Sequence, residues 1–171
     1  MVTTFKSLDL NYRHINSSLF VILLFLSQYS FGQNRPTGID TLLLKKIETN
    51  FQQDKIVNLG FHFGFNCFSN IQDSENQQIL NTILFYLQNN TDISMKLVSH
   101  TDCRGDEQFN KDLSQRIADL TRSWLKKNGI SPTRLISIGK GEYEPLIKCV
   151  NCDCDQEIHE KNRRFEIIKV N

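Results

Sequence analysis

The feature that most constrains the fold is a helical periodicity between residues 106 and 128, where apolar side chains recur at spacings of three and four. The pair Asn128-Gly129 that follows is typical of a helix end. A helix of this length buries its apolar face only against another layer of secondary structure, so we expect a layered fold. The apolar positions are Phe109, Leu113, Ile117, Leu120 and Trp124.

A second amphipathic helix and four strand-like segments complete the pattern. Ser74 and Gln77 form a capping box, and apolar residues at helical spacing follow as far as Asn89-Asn90. The order βαβαββ predicts an α/β fold, a two-layer sandwich with two main helices on one side of a small mixed four-stranded sheet. The predicted strands lie at residues 57–65, 93–100, 135–139 and 165–170.

The amino terminus is typical of a secretory signal peptide. Lys6 and Arg13 precede an apolar run at residues 19–26, which is short for a membrane span. Ser30 and Gly32 supply the small residues that a signal peptidase accepts, so we expect cleavage after Gly32. No cysteine near that position offers a lipid attachment point. The mature chain is therefore expected to be exported and to contain no transmembrane segment.

The chain is long enough for one domain with a genuine core. We expect residues 1–32 to be the signal peptide, residues 33–55 to be a lead-in segment with a short helix, and residues 56–171 to be the folded domain. Asp40 is the expected cap of the short helix.

The charge balance argues against a nucleic-acid partner. The chain has 20 Lys and Arg residues against 19 Asp and Glu residues, and the single excess basic residue falls in the signal peptide. Proteins that grip a phosphate backbone need a basic face, which a neutral mature chain does not supply overall. We therefore expect no nucleic-acid binding.

The densest run of polar functional groups lies at the end of the second predicted strand, from Ser99 to Gly105, and continues into the following helix. This run resembles the family of OmpA-like domains, which includes the carboxy-terminal domains of OmpA, Pal and MotB. The resemblance covers roughly residues 55 to 171. Its landmarks, in order, are His100-Thr101-Asp102, Gly105, Asn110, Leu113-Ser114, Ala118, Gly129-Ile130, Arg134-Leu135, Gly139, Gly141-Glu142, Pro145 and Asn162-Arg163-Arg164.

The resemblance implies an OmpA-like sandwich that binds the diaminopimelate residue in the peptide stem of peptidoglycan without covalent bonds. It further implies a periplasmic protein, associated with the outer membrane, whose partners are peptidoglycan and other cell-envelope proteins and which links or positions envelope components. The free end of diaminopimelate carries an ammonium and a carboxylate, so it needs both a carboxylate and a guanidinium on the protein. By resemblance Asp102 accepts the ammonium; the other implied ligand-binding residues are Thr101, Asn110, Arg116, Arg163 and Arg164, with His100, Gly105 and Asn162 in support.

One departure from the family pattern bears on ligand binding. The family usually has an arginine three residues after the serine of its Leu-Ser motif, and here that position is Ile117. The charge sits one residue earlier, at Arg116, and one residue is about 100° of rotation around a helix. A scaffold of the same fold that has lost its ligand is therefore an alternative function.

The mature chain contains five cysteines, an odd number, so at least one is unpaired within the chain or pairs with another chain. Some relatives carry a cysteine pair in the loop before the last strand, and we expect a Cys149–Cys154 disulfide there. Zinc binding by the same loop, with His159 close by, is the alternative that the spacing leaves open. We expect Cys67 and Cys103 to be buried thiols, and no bound metal or cofactor.

The grouping of His100, Asp102 and Cys103 superficially resembles a nucleophile with its base. Adjacent residues of an extended segment point to opposite faces, so these three side chains cannot converge as a catalytic triad. We expect the protein not to be an enzyme.

Overall fold

A computed structural model describes residues 38–60 and 74–170 of the chain. The predicted signal peptide and the part of the first predicted strand from Phe61 to Phe65 lie outside these described residues. The elements in chain order are α1 (Thr41–Gln52), β1 (Val57–Leu59), α2 (Ser74–Asn89), β2 (Ser94–His100), α3 (Glu107–Lys127), a 3₁₀ turn (Pro132–Arg134), β3 (Leu135–Gly141), α4 (Gln156–Asn162) and β4 (Phe165–Val170).

The strands form a mixed four-stranded sheet, as the sequence predicts, and their order in the sheet is β1-β4-β2-β3. β2 and β3 run parallel, and β4 pairs antiparallel with both β1 and β2. β4 is therefore a central strand, although it is the last along the chain. Because β4 enters the sheet beside β2, residues just before β4 lie next to the loop that leaves β2: the backbone N–H of His100 donates to the carbonyl of Arg164 at 2.9 Å.

One face of the sheet and three of the helices share a single apolar core. Successive strand residues point to opposite faces, and in β1, β2 and β4 the core residues occupy alternate positions, such as Val57 and Leu59 or Met95 and Leu97. α1 belongs to this core as well, and the backbone N–H of Asp40 donates to Thr82 Oγ1 of α2 at 2.9 Å. The helix contributions are Leu43, Leu44, Ile47 and Phe51 from α1, Leu80, Ile83, Tyr86 and Leu87 from α2, and Ile117, Ala118 and Leu125 from α3.

α3 crosses β3 at very close range because Gly139 has no side chain. A Cβ atom built at Gly139 would lie 2.1 Å from the backbone nitrogen of Gln115. Gln115 Oε1 accepts a hydrogen bond from the N–H of Gly139, and Lys111 Nζ donates to the Gly139 carbonyl at 2.6 Å. These contacts fix the start of α3 against the end of β3, next to the loop that follows β2.

The segment between β3 and β4, which we predicted to be a loop, contains the short helix α4. The prediction missed it because the sequence from Gln156 to Asn162 lacks apolar periodicity. Polar side chains hold it instead: His159 and Asn162 are buried, and Asn162 exchanges two hydrogen bonds with the backbone of Ile147. Within residues 38–60 and 74–170, no helix has the length and apolar character needed to cross a membrane.

Candidate functional site

Asp102, the first acidic residue after β2, is the centre of a cluster of charged side chains. It is 6% exposed, and its Oδ1 accepts a hydrogen bond from the backbone N–H of Arg104 at 2.9 Å, which closes a tight turn. The Arg104 guanidinium folds back onto the same carboxylate, with Nη2 2.7 Å from Oδ2. Arg163 Nη1 reaches Oδ2 from the segment before β4. Two guanidinium groups from distant parts of the chain therefore share one carboxylate.

These arginines decide the protonation state of Asp102. Burial by itself raises the pKa of a carboxyl group, and it is the largest single effect on Asp102. The hydrogen bonds from Arg104 and Arg163 together outweigh burial and hold the pKa of Asp102 below its ordinary value. Asp102 is thus a carboxylate at neutral and mildly acidic pH, which is the form that can accept an ammonium group.

Asn110, on the first turns of α3, holds the Asp102 loop, which is formed by residues 101–106 between β2 and α3. Its Nδ2 lies 3.3 Å from the carbonyl of Asp102, 3.2 Å from that of Arg104 and 2.5 Å from Glu142 Oε2. Gly105, with φ of +107°, makes the turn into α3 that a residue with a side chain rarely adopts. Asn110 is buried at 3% exposure, so its observed role is to hold the loop.

His159 of α4 lies behind the carboxylate. Its ring is 4% exposed, with Nδ1 3.9 Å from Asp102 Oδ2 and Nε2 3.8 Å from Cys154 Sγ. Nδ1 has no hydrogen-bond partner among the described residues. Two cysteine pairs, Cys103 with Cys152 and Cys149 with Cys154, each place sulfur atoms within 4.8 Å of a nitrogen of this ring.

Both cysteine pairs are disulfides. The expected bridge between Cys149 and Cys154 is present. The expectation that Cys103 is a buried thiol is wrong: Cys103 is half-buried and bonded to Cys152, with the two Cα atoms 5.6 Å apart. The pairing could not be predicted at a sequence separation of 49, because only the sheet topology brings the Asp102 loop beside the cysteine-rich loop. Cys67 lies outside the described residues.

Arg164 and His100 form a second buried cluster and do not contact Asp102. Arg164 Nε donates to Glu166 Oε1 at 2.6 Å, and His100 Nε2 lies 3.4 Å from Glu166 Oε2. His100 is the larger cause, followed by Arg164, of a shift that lowers the pKa of Glu166 to about 2 despite the opposing effect of burial. We expected Arg164 to line the ligand site, but its guanidinium is turned toward Glu166, and the residue is 8% exposed.

Arg116 also lies apart from the Asp102 cluster. It is exposed and lines an open groove of about 340 Å³ along α3, together with residues such as Asp112 and Asp119. No residue that lines this groove belongs to the Asp102 cluster. We expected Arg116 to replace the family arginine, but about 100° of helix rotation separates it from Ile117. Ile117 itself is 5% exposed and packed in the apolar core.

Of the remaining expected residues, Thr101 is buried and its backbone N–H donates to the carbonyl of Gly141 at 2.9 Å. Sequence reasoning missed the roles of Arg104 and His159. Arg104 had a usable signal, because a residue two positions after an aspartate commonly meets its side chain in a turn. His159 had none beyond its nearness to the cysteines in the sequence.

The fold is that of an OmpA-like domain. The sequence profile of the OmpA family matches residues 65–157, more than half of the chain, and the chain belongs to this family. The peptidoglycan-associated lipoprotein of Brucella melitensis is 32% identical over 97 residues, which are 57% of this chain and 58% of that protein. The chain thus spans less than two thirds of the length of such relatives.

Solved structures share the fold at low sequence identity. The peptidoglycan-associated lipoprotein from Burkholderia pseudomallei matches with a TM-score of 0.54 at 21% identity, over 67% of this chain and 89% of that one. The cell wall anchor of the type VI secretion system from Pseudomonas aeruginosa also matches with a TM-score of 0.54, at 20% identity, over 75% of this chain and 95% of that one. At these identities the likeness establishes the fold.

Proposed function

We propose that this domain binds peptidoglycan non-covalently, through the zwitterionic end of a diaminopimelate residue in the peptide stem. The observation that carries the proposal is the shared carboxylate: Asp102 is buried and ionised, while Arg104 and Arg163 beside it are 43% and 35% exposed at their side chains. The ligand's ammonium binds Asp102, and its carboxylate binds the solvent-facing N–H groups of the two guanidiniums.

The two arginines also supply the guanidinium that the family usually has at the position of Ile117. Arg163 contacts Asp102 through Nη1, which leaves further N–H donors on its planar group for a ligand carboxylate. Both guanidiniums are partly exposed, so their outward-facing N–H donors remain available to an incoming carboxylate. Binding is the role proposed; no catalytic step is assigned to the cluster, in which Cys103 is held in a disulfide.

The test is co-sedimentation of the purified mature chain with insoluble peptidoglycan of two kinds. Stems that contain diaminopimelate offer both charges at the side-chain end, whereas stems that contain lysine offer only the ammonium. The wild type is expected to pellet with the first kind and to pellet at least tenfold less with the second, and Asp102→Asn is expected to stay in the supernatant with both. Arg116→Gln is the matched control, because Arg116 is an exposed arginine outside the cluster.

A second candidate function follows from Ile117, which is buried in the core where the family has an arginine. In that case the domain is an OmpA-like scaffold without a peptidoglycan ligand. A wild-type protein that remains in the supernatant with diaminopimelate-containing peptidoglycan would establish this second candidate and reject the first.

The apolar run at residues 19–26 supports the proposal that the protein is exported to the periplasm, where peptidoglycan lies, and is associated there with the outer membrane and its proteins. Mass measurement of the protein recovered from the periplasmic fraction is expected to give a chain that begins at Gln33. Recovery of uncleaved protein from the cytoplasm would contradict export.

A further inference from the structure

We propose that the cysteine-rich loop (residues 149–154), together with α4, binds one Zn²⁺ ion when the disulfides are reduced. The ligands are the thiolates of Cys149 and Cys154 and Nε2 of His159. The site is separate from the proposed peptidoglycan contacts, although it shares the neighbourhood of Asp102. In the oxidised protein the same sulfur atoms form disulfides. The loop therefore has two states: disulfide-bonded when oxidised and zinc-bound when reduced.

The spacing of the donor atoms fits a tetrahedral zinc ion. With Zn–S of about 2.3 Å and Zn–N of about 2.05 Å, two ligands of a tetrahedron lie about 3.6 Å apart. His159 Nε2 is 3.8 Å from Cys154 Sγ, and the Sγ atoms of Cys149 and Cys154 and a nitrogen of His159 all lie within 4.8 Å of one another. Small side-chain rotations therefore suffice to place the three atoms around one ion.

His159 carries the second, independent observation. A buried imidazole ordinarily satisfies its polar nitrogen atoms, yet Nδ1 of His159 has no hydrogen-bond partner among the described residues, at 4% exposure. Nδ1 lies 3.9 Å from Asp102 Oδ2. Metal-binding histidines usually donate their other N–H to a carboxylate, which fixes the ring and its tautomer. Zinc on Nε2 requires the proton on Nδ1, where Asp102 is placed to accept it.

The three proposed ligands leave one position of a tetrahedral zinc ion to be filled, and two further thiolates lie close to it. Cys103 and Cys152 also lie with His159 inside a 4.8 Å group, so their reduction places two further sulfur ligands beside the same ring. Each disulfide takes two electrons and two protons from a dithiol reductant, which is itself oxidised to a disulfide, and yields two thiols. Each thiol that then binds zinc releases its proton.

The experiment compares zinc binding by the oxidised and reduced mature chain. The protein is treated with tris(2-carboxyethyl)phosphine, titrated with ZnCl₂ by calorimetry, and titrated in parallel with Co²⁺, whose visible absorption reports tetrahedral sulfur ligation. We expect one ion per reduced chain with a Kd below about 1 µM, and at least a hundredfold weaker binding by the oxidised chain. Far-UV circular dichroism follows the fold throughout.

Variants separate this site from adventitious thiol binding. His159→Gln is expected to weaken zinc binding at least tenfold, and the double variant Cys149→Ser with Cys154→Ser is expected to weaken the cobalt charge-transfer band, because only Cys103 and Cys152 then lie beside His159 as thiolates of the described residues. Cys67→Ser, which changes the fifth cysteine of the sequence and none of the three proposed ligands, is the matched control and is expected to bind zinc like the wild type. The proposal would be overturned if the reduced wild type does not bind zinc, whether or not circular dichroism shows it to be folded. Unchanged zinc binding by His159→Gln would overturn it as well. Neither result depends on whether the protein pellets with peptidoglycan.

Discussion

Arg163 and Asp102 lie 61 positions apart in the chain and form an ion pair where the two central strands β2 and β4 meet the adjoining loops. The pair depends on topology, because the segment before β4 meets the loop after β2 only when β4 inserts between β1 and β2. The Cys103–Cys152 disulfide joins the same loop to the cysteine-rich segment. A charged contact and a covalent one therefore hold the Asp102 loop in place.

The two disulfides are expected to contribute unequally to stability. Closing a loop restricts the unfolded chain more when the loop is longer, and the bridges span sequence separations of 49 and 5. The chain-entropy relation gives about 4 kcal/mol for Cys103–Cys152 and about 2 kcal/mol for Cys149–Cys154. Urea unfolding of the two double Cys→Ser variants, both in a Cys67→Ser background, measures the difference.

The same two variants separate stability from loop positioning. Because Cys103 adjoins Asp102, loss of Cys103–Cys152 is expected to reduce peptidoglycan retention severalfold under conditions where the domain remains folded. Loss of Cys149–Cys154 is expected to leave retention close to that of the wild type. Equal retention by the two variants would show that the longer bridge does not position the ligand loop.

The sequence predicted the layers of the fold because its signals are local. The apolar periodicities of α2 and α3 lie within single elements, and both helices form where expected. The polar helix α4 escaped prediction because its stability comes from the buried side chains of His159 and Asn162, which contact other segments. Local patterns do not record such contacts.

The candidate site was only partly predictable for the same reason. Asp102 and Arg163 could be placed by resemblance to the OmpA-like family, and the structure brings them together. Arg164 is the next residue along an extended segment, so its side chain turns to the other side and meets Glu166 instead. The Cys103–Cys152 pairing depends on the meeting of two loops, which no spacing in the sequence encodes.

Gly139 is expected to be intolerant of any side chain. Gly139→Ala places a methyl group 2.1 Å from the backbone of Gln115, where only movement of α3 or β3 can relieve the clash. Overpacking of this kind costs about 1–3 kcal/mol, and the rigid backbone neighbour favours the upper end. Gly60→Ala is the matched control, since a Cβ there meets no atom of residues 38–60 and 74–170 within 4 Å. Equal unfolding temperatures for Gly139→Ala and Gly60→Ala would contradict the close packing of α3 on β3.

Ile117 is expected to act as a core residue. Ile117→Arg buries a guanidinium among apolar side chains, and an unpaired buried charge costs several kcal/mol. Ile117→Met, which nearly conserves volume, is expected to cost less than about 1.5 kcal/mol. Guanidinium denaturation compares the two variants. A fully stable Ile117→Arg would mean that the helix face at position 117 can open toward the Asp102 cluster.

Glu166 provides a prediction on pH. Its pKa is lowered from 4.5 in the unfolded chain to about 2 in the folded protein, chiefly by His100 and then by Arg164. The ionised carboxylate therefore contributes stability that is fully present above pH 4.5 and is lost as the pH falls from 4.5 to about 2. Glu166→Gln removes this contribution, and we expect it to cost about 2 kcal/mol at pH 7.

Urea unfolding at intervals from pH 7 to pH 2 is expected to show the stability of Glu166→Gln and that of the wild type converging below pH 4.5. Glu48→Gln, an exposed substitution on α1, is the control and is expected to follow the wild-type curve at every pH. A constant difference between Glu166→Gln and the wild type across the whole range would mean that shape, and not charge, is what Glu166 supplies.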